Sequence, residues 1–579
     1  MHLSLLDWAV IAVYLVITLS ISLYFSKKAG KSLGDFFLGG RNLPWYVAGI
    51  SMVATTFAAD TPLAVTELVS TQGISGNWLW WNMLAGGMLT TFFFARLWRR
   101  ANILTEIEFI ELRYGGKAAA FLRGFKSVYL GLIMNVMVIG WVNLAMMTIL
   151  EVFFGLSSQD ALFYTAILMA VVAIYSSISG LLGVVFSDMV QFFIAMGACI
   201  YLAVEVVSLD QIGGISGLKA QLPEGTLDFF PKLGSASDVG KTLTISLGAF
   251  LAYTTVQWWS SWYPGAEPGG GGYIAQRMMS AKNEKHSIYA TLFFQIAHYC
   301  LRPWPWIIVA LCTLILYPDL GAGEEKFGFV MAMKDFLPSG LKGLLLVAFF
   351  SAYMSTISTQ LNWGAGYLVN DLYKRFISPK ASEKKLVTVS RITTIILMVV
   401  GLAVSSQINS ISGVWAFIIE CGAGLGLVLI LRWYWWRINV WSEITATVVP
   451  FIVYGLGKWV FGLVFPESFF LTVGITTVSW IAITFLTTPE KDSVLHNFYQ
   501  RVRPGGWWKE FNDGSSEDGK LGPLFVCWLS AIGFTYSFLF FMGKFIFQEY
   551  TTAIFWLIFG LGCFLILRIA AKKAKIFRD

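Results

Sequence analysis

The chain carries little charge for its length and few residues suited to covalent chemistry. Only 13% of its 579 residues are Asp, Glu, Lys or Arg, well below what a soluble surface normally displays. Histidine occurs four times, at His2, His286, His298 and His496, without a His-Glu-x-x-His pair. The six cysteines are scattered through apolar segments with no Cys-x-x-Cys spacing. They read as small core residues and exclude a disulfide framework or a thiolate metal site. No His/Asp/Cys cluster supplies a nucleophile, an acid/base pair or a metal set, which argues against a membrane-embedded enzyme.

What is abundant is apolar sequence. Hydrophobic residues make up 56% of the chain and aromatics 16%, including 24 Trp. Apolar runs of roughly 18–25 residues recur, each long enough to span a bilayer. The pattern predicts an all-α polytopic membrane protein with about 15 transmembrane helices. They lie near 5–25, 45–70, 78–96, 126–154, 160–180, 186–207, 242–275, 287–317, 340–366, 388–407, 411–431, 442–464, 468–487, 523–543 and 551–569. The run from Leu5 to Phe25 has lysines after it and only His2 before it, the reverse of a signal peptide, so it is expected to stay as a span. Alternating these spans from an outside N-terminus puts 32 of the 41 Lys and Arg in inner loops and the tail, as the positive-inside rule requires. The net charge of +7 is therefore a topology signal and does not point to nucleic acid. The C-terminus falls on the cytoplasmic side, and a bacterial inner membrane fits.

Two spans are broken. The first contains Ala54-Thr55-Thr56-Phe57-Ala58-Ala59-Asp60-Thr61-Pro62. The second breaks at Trp262-Tyr263-Pro264-Gly265-Ala266-Glu267-Pro268, followed by Gly269 to Gly272. Unwound backbone at membrane depth survives only where protein, ions or a wet cavity satisfy it. Interrupted spans in corresponding halves mark the ion and substrate site of a transporter. Taking each break as the opening of a half gives five spans in 45–207 and five in 241–431. An odd number forces the second half to be inverted. The remaining segments are an extra helix and inner loop (1–44), a Gly/Pro-rich outer loop (208–240), two further helices (432–487), a polar cytoplasmic linker (488–522) and a C-terminal hairpin with a basic tail (523–579).

The ninth span places Ser351, Ser355, Thr356, Ser358 and Thr359 within nine residues of an apolar segment. Such hydroxyls serve helix packing, or, opposite the free carbonyls of an unwound segment, a hard cation that wants neutral oxygens. Asp188 near the start of the sixth span is either an interfacial residue or an ion or gating group, because carboxylates inside a membrane are costly.

Four further motifs carry a family resemblance. Arg41-Asn42-Leu43-Pro44, Ser187-Asp188-Met189-Val190-Gln191, Gln276-Arg277 and Ala352-x-x-Ser355-Thr356, in this order and at these spans, resemble the sodium:solute symporters. The resemblance covers roughly residues 5–490. It implies the leucine-transporter-like five-plus-five inverted repeat with two broken helices. It also implies a main sodium site made by the carbonyls of Ala54, Phe57 and Ala352 and the hydroxyls of Ser355 and Thr356. A second sodium set would fall on Asp188, Ser355, Ser358 and Thr359. Where the proline transporters of this family place an Asp in the first break, this chain has Thr56, which argues against proline. The second break departs from the aromatic-Asn-Gln run of sugar-carrying members.

Candidate cavity residues follow from position. Thr56, Asp60, Thr61 and Glu67 lie on the first broken span, Trp80 and Asn82 on the third, and Trp259, Tyr263 and Glu267 at the second break. His298 and Arg302 are one turn apart on the eighth span. Arg302 needs a carboxylate partner, such as Glu267, Asp60 or Glu420, or else clamps a substrate carboxylate in a wet cavity. The expected function is sodium-coupled symport of a small polar solute, sugar-like, sugar acid or amino acid. Na⁺ is the coupling ion. No organic cofactor, nucleic acid or obligate protein partner is expected beyond the lipid bilayer. The competing readings are proton coupling on the same fold and a transporter-like solute sensor.

Overall fold

Hydrocarbon offers backbone amides no water, so a spanning chain must pair them internally. In a computed structural model, which describes residues 3–234, 244–321, 323–408, 411–511 and 521–576, helices meet that demand almost throughout. Among the described residues ten helices are long and apolar enough to cross a membrane, or up to eleven if one bent pair counts as a single span. The shortfall from the expected 15 has physical causes. The run Ser158–Val207 is one continuous 50-residue element, about 75 Å at 1.5 Å per residue, against a hydrocarbon core of about 30 Å. Inside it Gly180 has φ 55° and ψ −155°, which is not helical. The segments expected at 78–96, 242–275 and 411–431 are cut into pieces too short to count alone. Outside the helices lies a parallel two-stranded ribbon, Lys232–Gly234 with Thr244–Ser246.

The helix Leu341–Gly366, continued to Ile377, is the buried axis of the molecule. It packs against Ser158–Val207, Trp45–Thr55 and Leu5–Ala29. The peripheral helices are the reverse of soluble ones. Leu5–Ala29 turns Leu5, Val16 and Leu23 outward, and Tyr550–Lys573 turns out Ile558, Leu565 and Ile569. Apolar surface on that scale belongs against lipid.

Both expected breaks are present. Pro44 opens the helix Trp45–Thr55, which stops at Thr56, and the chain resumes as Asp60–Gln72 at 59° to it. Asp60 sits in the first turn of the second half, where a carboxylate complements the helix dipole, and Pro62 is tolerated there because first-turn amides have no helical partner. The second break is longer. Helix ends at Ser260, Ser261 is extended, and Gly272–Ser280 resumes the helix. Gly265, Gly269 and Gly270 hold φ between 79° and 85°, which L side chains avoid. The freed backbone finds partners in a third interruption. The Trp262 amide donates to the Gly422 carbonyl at 3.3 Å, and the Gly424 amide donates to Ser260 at 2.9 Å. The expected continuous span 411–431 is therefore two helices, Ile411–Cys421 and Gly426–Tyr434.

The polar segment 488–522 contains a helix, Asp492–Val502, whose Phe498 packs on Trp433 and Trp508. Its Asn512-Asp513-Gly514-Ser515-Ser516 run lies outside the described residues, as do Lys241 and the last three residues of the tail. The six cysteines are free, five of them buried.

Candidate functional site

Two polar clusters meet where the first break crosses the Leu341–Gly366 helix. In the first, the Thr356 hydroxyl lies 2.9 Å from the Thr55 carbonyl and 3.2 Å from the Ala352 carbonyl. The Ala54 carbonyl accepts from the Phe57 amide at 3.0 Å across the break. Thr356, Ala352, Ala54 and Phe57 are all buried. The donor set is neutral and all oxygen, chemistry that suits a hard cation.

The second cluster surrounds Asp188, which is fully buried. Its carboxylate accepts from Ser355 at 2.6 Å and from Ser51 at 2.5 Å. The carboxylate therefore faces protein groups and no open surface. The Arg277 guanidinium stands 3.7 Å from the same carboxylate. Arg277 also donates to Thr359 at 2.7 Å and to Ser51 at 3.2 Å, and Thr359 lies 3.1 Å from the Thr55 hydroxyl. Ser355 thus turns to Asp188, while Ser358 bonds back to the Ser355 carbonyl at 3.0 Å. Gln276, beside Arg277, donates to Asn362 and to the Phe37 carbonyl, each at 2.9 Å.

Beside these clusters lies a cavity of about 400 Å³. Thr56, Asp60, Thr61, Trp80, Tyr263, His298 and Arg302 line it. Thr56 is its hub. The Thr56 hydroxyl receives a 2.9 Å hydrogen bond from Arg302 and lies 3.0 Å from His298 Nδ1. Arg302 also donates to the Val53 carbonyl at 3.2 Å. The ion pair expected for Arg302 is not made: among the described residues no carboxylate oxygen lies within 4 Å of its guanidinium. Glu420, one proposed partner, instead accepts from Ser468 at 2.6 Å.

Four expected cavity residues lie outside the lining. Asn82 donates to the Trp78 and Leu79 carbonyls of its own segment. Trp259 donates to the Thr255 carbonyl and packs beside a small cluster containing Ala252 and Phe469. Glu67 is half-buried further along its helix. Glu267 is buried within the break, where one carboxylate oxygen accepts from the Gly265 amide at 3.1 Å.

A model of the sodium:solute symporter family matches residues 36–446, well over half of the chain. The chain belongs to the sodium:solute symporter family. This symporter-family chain is 26% identical over 524 residues to a sodium/glucose cotransporter of Vibrio parahaemolyticus, covering 85% of this chain and 92% of the relative. It is 25% identical over 482 residues to an osmoregulated proline transporter of Bacillus subtilis, covering 77% and 89%. The solved structure of a Na⁺-coupled sialic acid symporter superposes with a TM-score of 0.67 at 19% identity, covering 84% of this chain and 99% of that one. That likeness concerns the fold. The family is one of membrane transporters, not of enzymes.

Sequence reasoning did not place Ser51, the Thr55 carbonyl, Gln257, Trp141 or Trp415 at the site. Ser51 and Thr55 had a signal, since they stand one helical turn apart and directly before the break. Trp141 and Trp415 had none, because which apolar face turns to the cavity depends on helix packing.

Proposed function

We infer that the protein is a sodium-coupled secondary active symporter that imports a small polar organic solute by alternating access. The reading includes the full architecture of about 15 spans, with repeats at 45–207 and 241–431 in opposite orientation, the N-terminus outside and the C-terminus cytoplasmic. Gly180 splits the 50-residue run into two spans in this reading. The inner basic loops fit a bacterial inner membrane.

The observation that carries the coupling ion is the junction of Thr356 with the first break, where a hydroxyl and two carbonyls meet within 3.2 Å. Sodium would bind as co-substrate among the oxygens of Ala54, Phe57, Ala352 and Thr356. Binding there ties the broken helix to the Leu341–Gly366 axis and favours the state with the solute cavity open to the outside. Ser355, assigned to that site by resemblance, already donates to Asp188, so its part is to hold the axis against Ser158–Val207. For the second set, Arg277 places a positive charge beside Asp188 and Thr359. We assign the cation there to the guanidinium and one sodium to each cycle. The electrical drive is about 2.3 kcal/mol per charge per 100 mV.

The test is thermal stability of the purified protein in Na⁺, K⁺ and choline salts, wild type beside Thr356→Val. A stabilisation specific to Na⁺ and lost in the variant supports the site. A folded protein that responds equally to all three salts overturns sodium coupling.

A further inference from the structure

Two opposite charges on the cavity wall make no ion pair within 4 Å and only attract each other from a distance. Arg302 is 1% exposed, its Nε has no hydrogen-bond partner, and among the described residues no carboxylate approaches within 4 Å. Its guanidinium lies 5.1 Å from the Trp306 ring centroid and 5.9 Å from that of Phe57. Those rings favour the cation but do not neutralise it. Asp60 is 4% exposed and one of its carboxylate oxygens is buried without a partner. Both residues line the same 400 Å³ cavity. An uncompensated buried charge is strongly unfavourable, and so is half of a buried pair. A neutral solute would seal both charges in with only their attraction for each other from a distance. A simple anion would relieve Arg302 and leave Asp60 facing a like charge.

Aromatic rings form one part of the rest of the wall. Trp80 stacks on Tyr299 at 5.7 Å and 22°. Trp415 meets Tyr263 and Trp141 edge to face, each at 6.3 Å. Such surfaces accept a ring by stacking or edge contact, and Gln257, whose side-chain amide has no partner, and Gln360 add polar groups to the same wall.

We propose that the solute is a zwitterionic amino acid with an aromatic side chain, its carboxylate on Arg302, its ammonium on Asp60 and its ring among Trp80, Tyr299, Trp141 and Trp415. Thr56 positions the guanidinium through its 2.9 Å hydrogen bond, so that Nε stays free for a carboxylate oxygen. Fork-shaped pairing of guanidinium and carboxylate is the strongest recognition this wall can make. This assignment rests on the symport reading above and narrows its solute.

The experiment is thermal unfolding of the full-length protein in detergent and sodium chloride, with a panel of single compounds. L-phenylalanine is compared with L-phenylalaninamide, which lacks the carboxylate, and with 3-phenylpropanoate, which lacks the ammonium. L-proline and D-glucose complete the panel. L-phenylalanine is expected to raise the midpoint, and the other four to leave it unmoved. Arg302→Gln and Asp60→Asn should each weaken L-phenylalanine binding by about tenfold or more, about 1.4 kcal/mol, while the response to Na⁺ persists. Arg302→Lys keeps the charge without the fork and serves where the Gln variant does not fold; it too should bind more weakly. A larger shift with D-glucose, L-proline or 3-phenylpropanoate overturns the proposal, as does no shift with L-phenylalanine in protein that Na⁺ stabilises. A response to L-phenylalanine that is indifferent to Na⁺ keeps this assignment and instead removes sodium coupling.

Discussion

Ser355 donates a 2.6 Å hydrogen bond to the Asp188 carboxylate and so joins the central helix Leu341–Gly366 to the long run Ser158–Val207. Ser51 on the first broken span reaches the same carboxylate at 2.5 Å. One buried acid therefore ties three elements together beside the site, and in the alternating-access reading proposed above their relative motion opens and closes it. Hydrogen bonds to charged groups contribute about 1.5–3 kcal/mol each. Ser355→Ala should lower stability by that order. It should also weaken the sodium dependence of uptake through the displaced axis, with no direct ligand lost. Sodium titrations of uptake and of the unfolding midpoint measure the two effects. An unchanged midpoint would remove Ser355 from this junction.

Gly180 is a second point where one atom decides. Its φ of 55° and ψ of −155° lie in territory that is essentially glycine's alone, where other residues incur about 1–3 kcal/mol of strain. A Cβ there would stand 2.6 Å from the Phe36 carbonyl oxygen, and backbone cannot step aside as a side-chain tip can. Gly180→Ala should lower the unfolding midpoint sharply or abolish expression. Gly197, on the same run with nothing within 4 Å of a built Cβ, is the control. Ala there should be neutral or stabilising by up to about 1 kcal/mol, from helix propensity. Equal behaviour of the two variants would contradict the conformation assigned to Gly180.

The contrast shows which parts of the site a sequence displays. The breaks at 56–59 and 261–271 were visible because Gly, Pro and polar residues interrupt apolar runs. The break at 422–425 was not, because Gly422-Ala423-Gly424 carries no proline and no polar group. Asp188 and Arg302 were visible as charges in hydrocarbon. Their partners were not, since Arg302 meets a hydroxyl and a carbonyl of the first break rather than an acid. Arg277 was legible as a motif residue, yet its reach to Asp188 depends on how the second break redirects Gly272–Ser280. Periodicity tells which residues share a helix face and is silent on which helix that face meets.

Outside the spans, Glu111 ties two of them together. Arg375 donates to it at 2.9 Å and Arg123 at 2.6 Å. Burial pushes the Glu111 carboxyl up, but the guanidiniums of Arg375 and Arg123 outweigh it and hold the group below its ordinary value. A carboxyl depressed by folding contributes stability above its unfolded value and loses it as pH falls through the folded one. The protein should therefore lose stability on acidification below about pH 4.5, and Glu111→Gln should flatten that limb. Midpoints recorded from neutral to acidic pH for both proteins check this. Parallel curves would show that other acids dominate.

Arg277 bears on how many ions move. Its guanidinium is fully buried, 3.7 Å from Asp188 and 2.7 Å from Thr359, which are two of the residues that a second sodium would need. A second cation there would face a like charge that the protein supplies permanently. The initial rate of solute uptake should then rise hyperbolically with sodium, with a Hill coefficient near one. Arg277→Gln leaves Asp188 without its counter-charge, a change that costs about 3–5 kcal/mol when a buried pair is broken. Sodium should offset part of that loss by entering the vacated position. The variant is accordingly expected to be less stable in potassium than the wild type and to gain more from sodium, with a steeper sodium dependence. Sigmoidal sodium dependence in the wild type would instead place a second ion beside Asp188 and reduce Arg277 to a neighbour of that site.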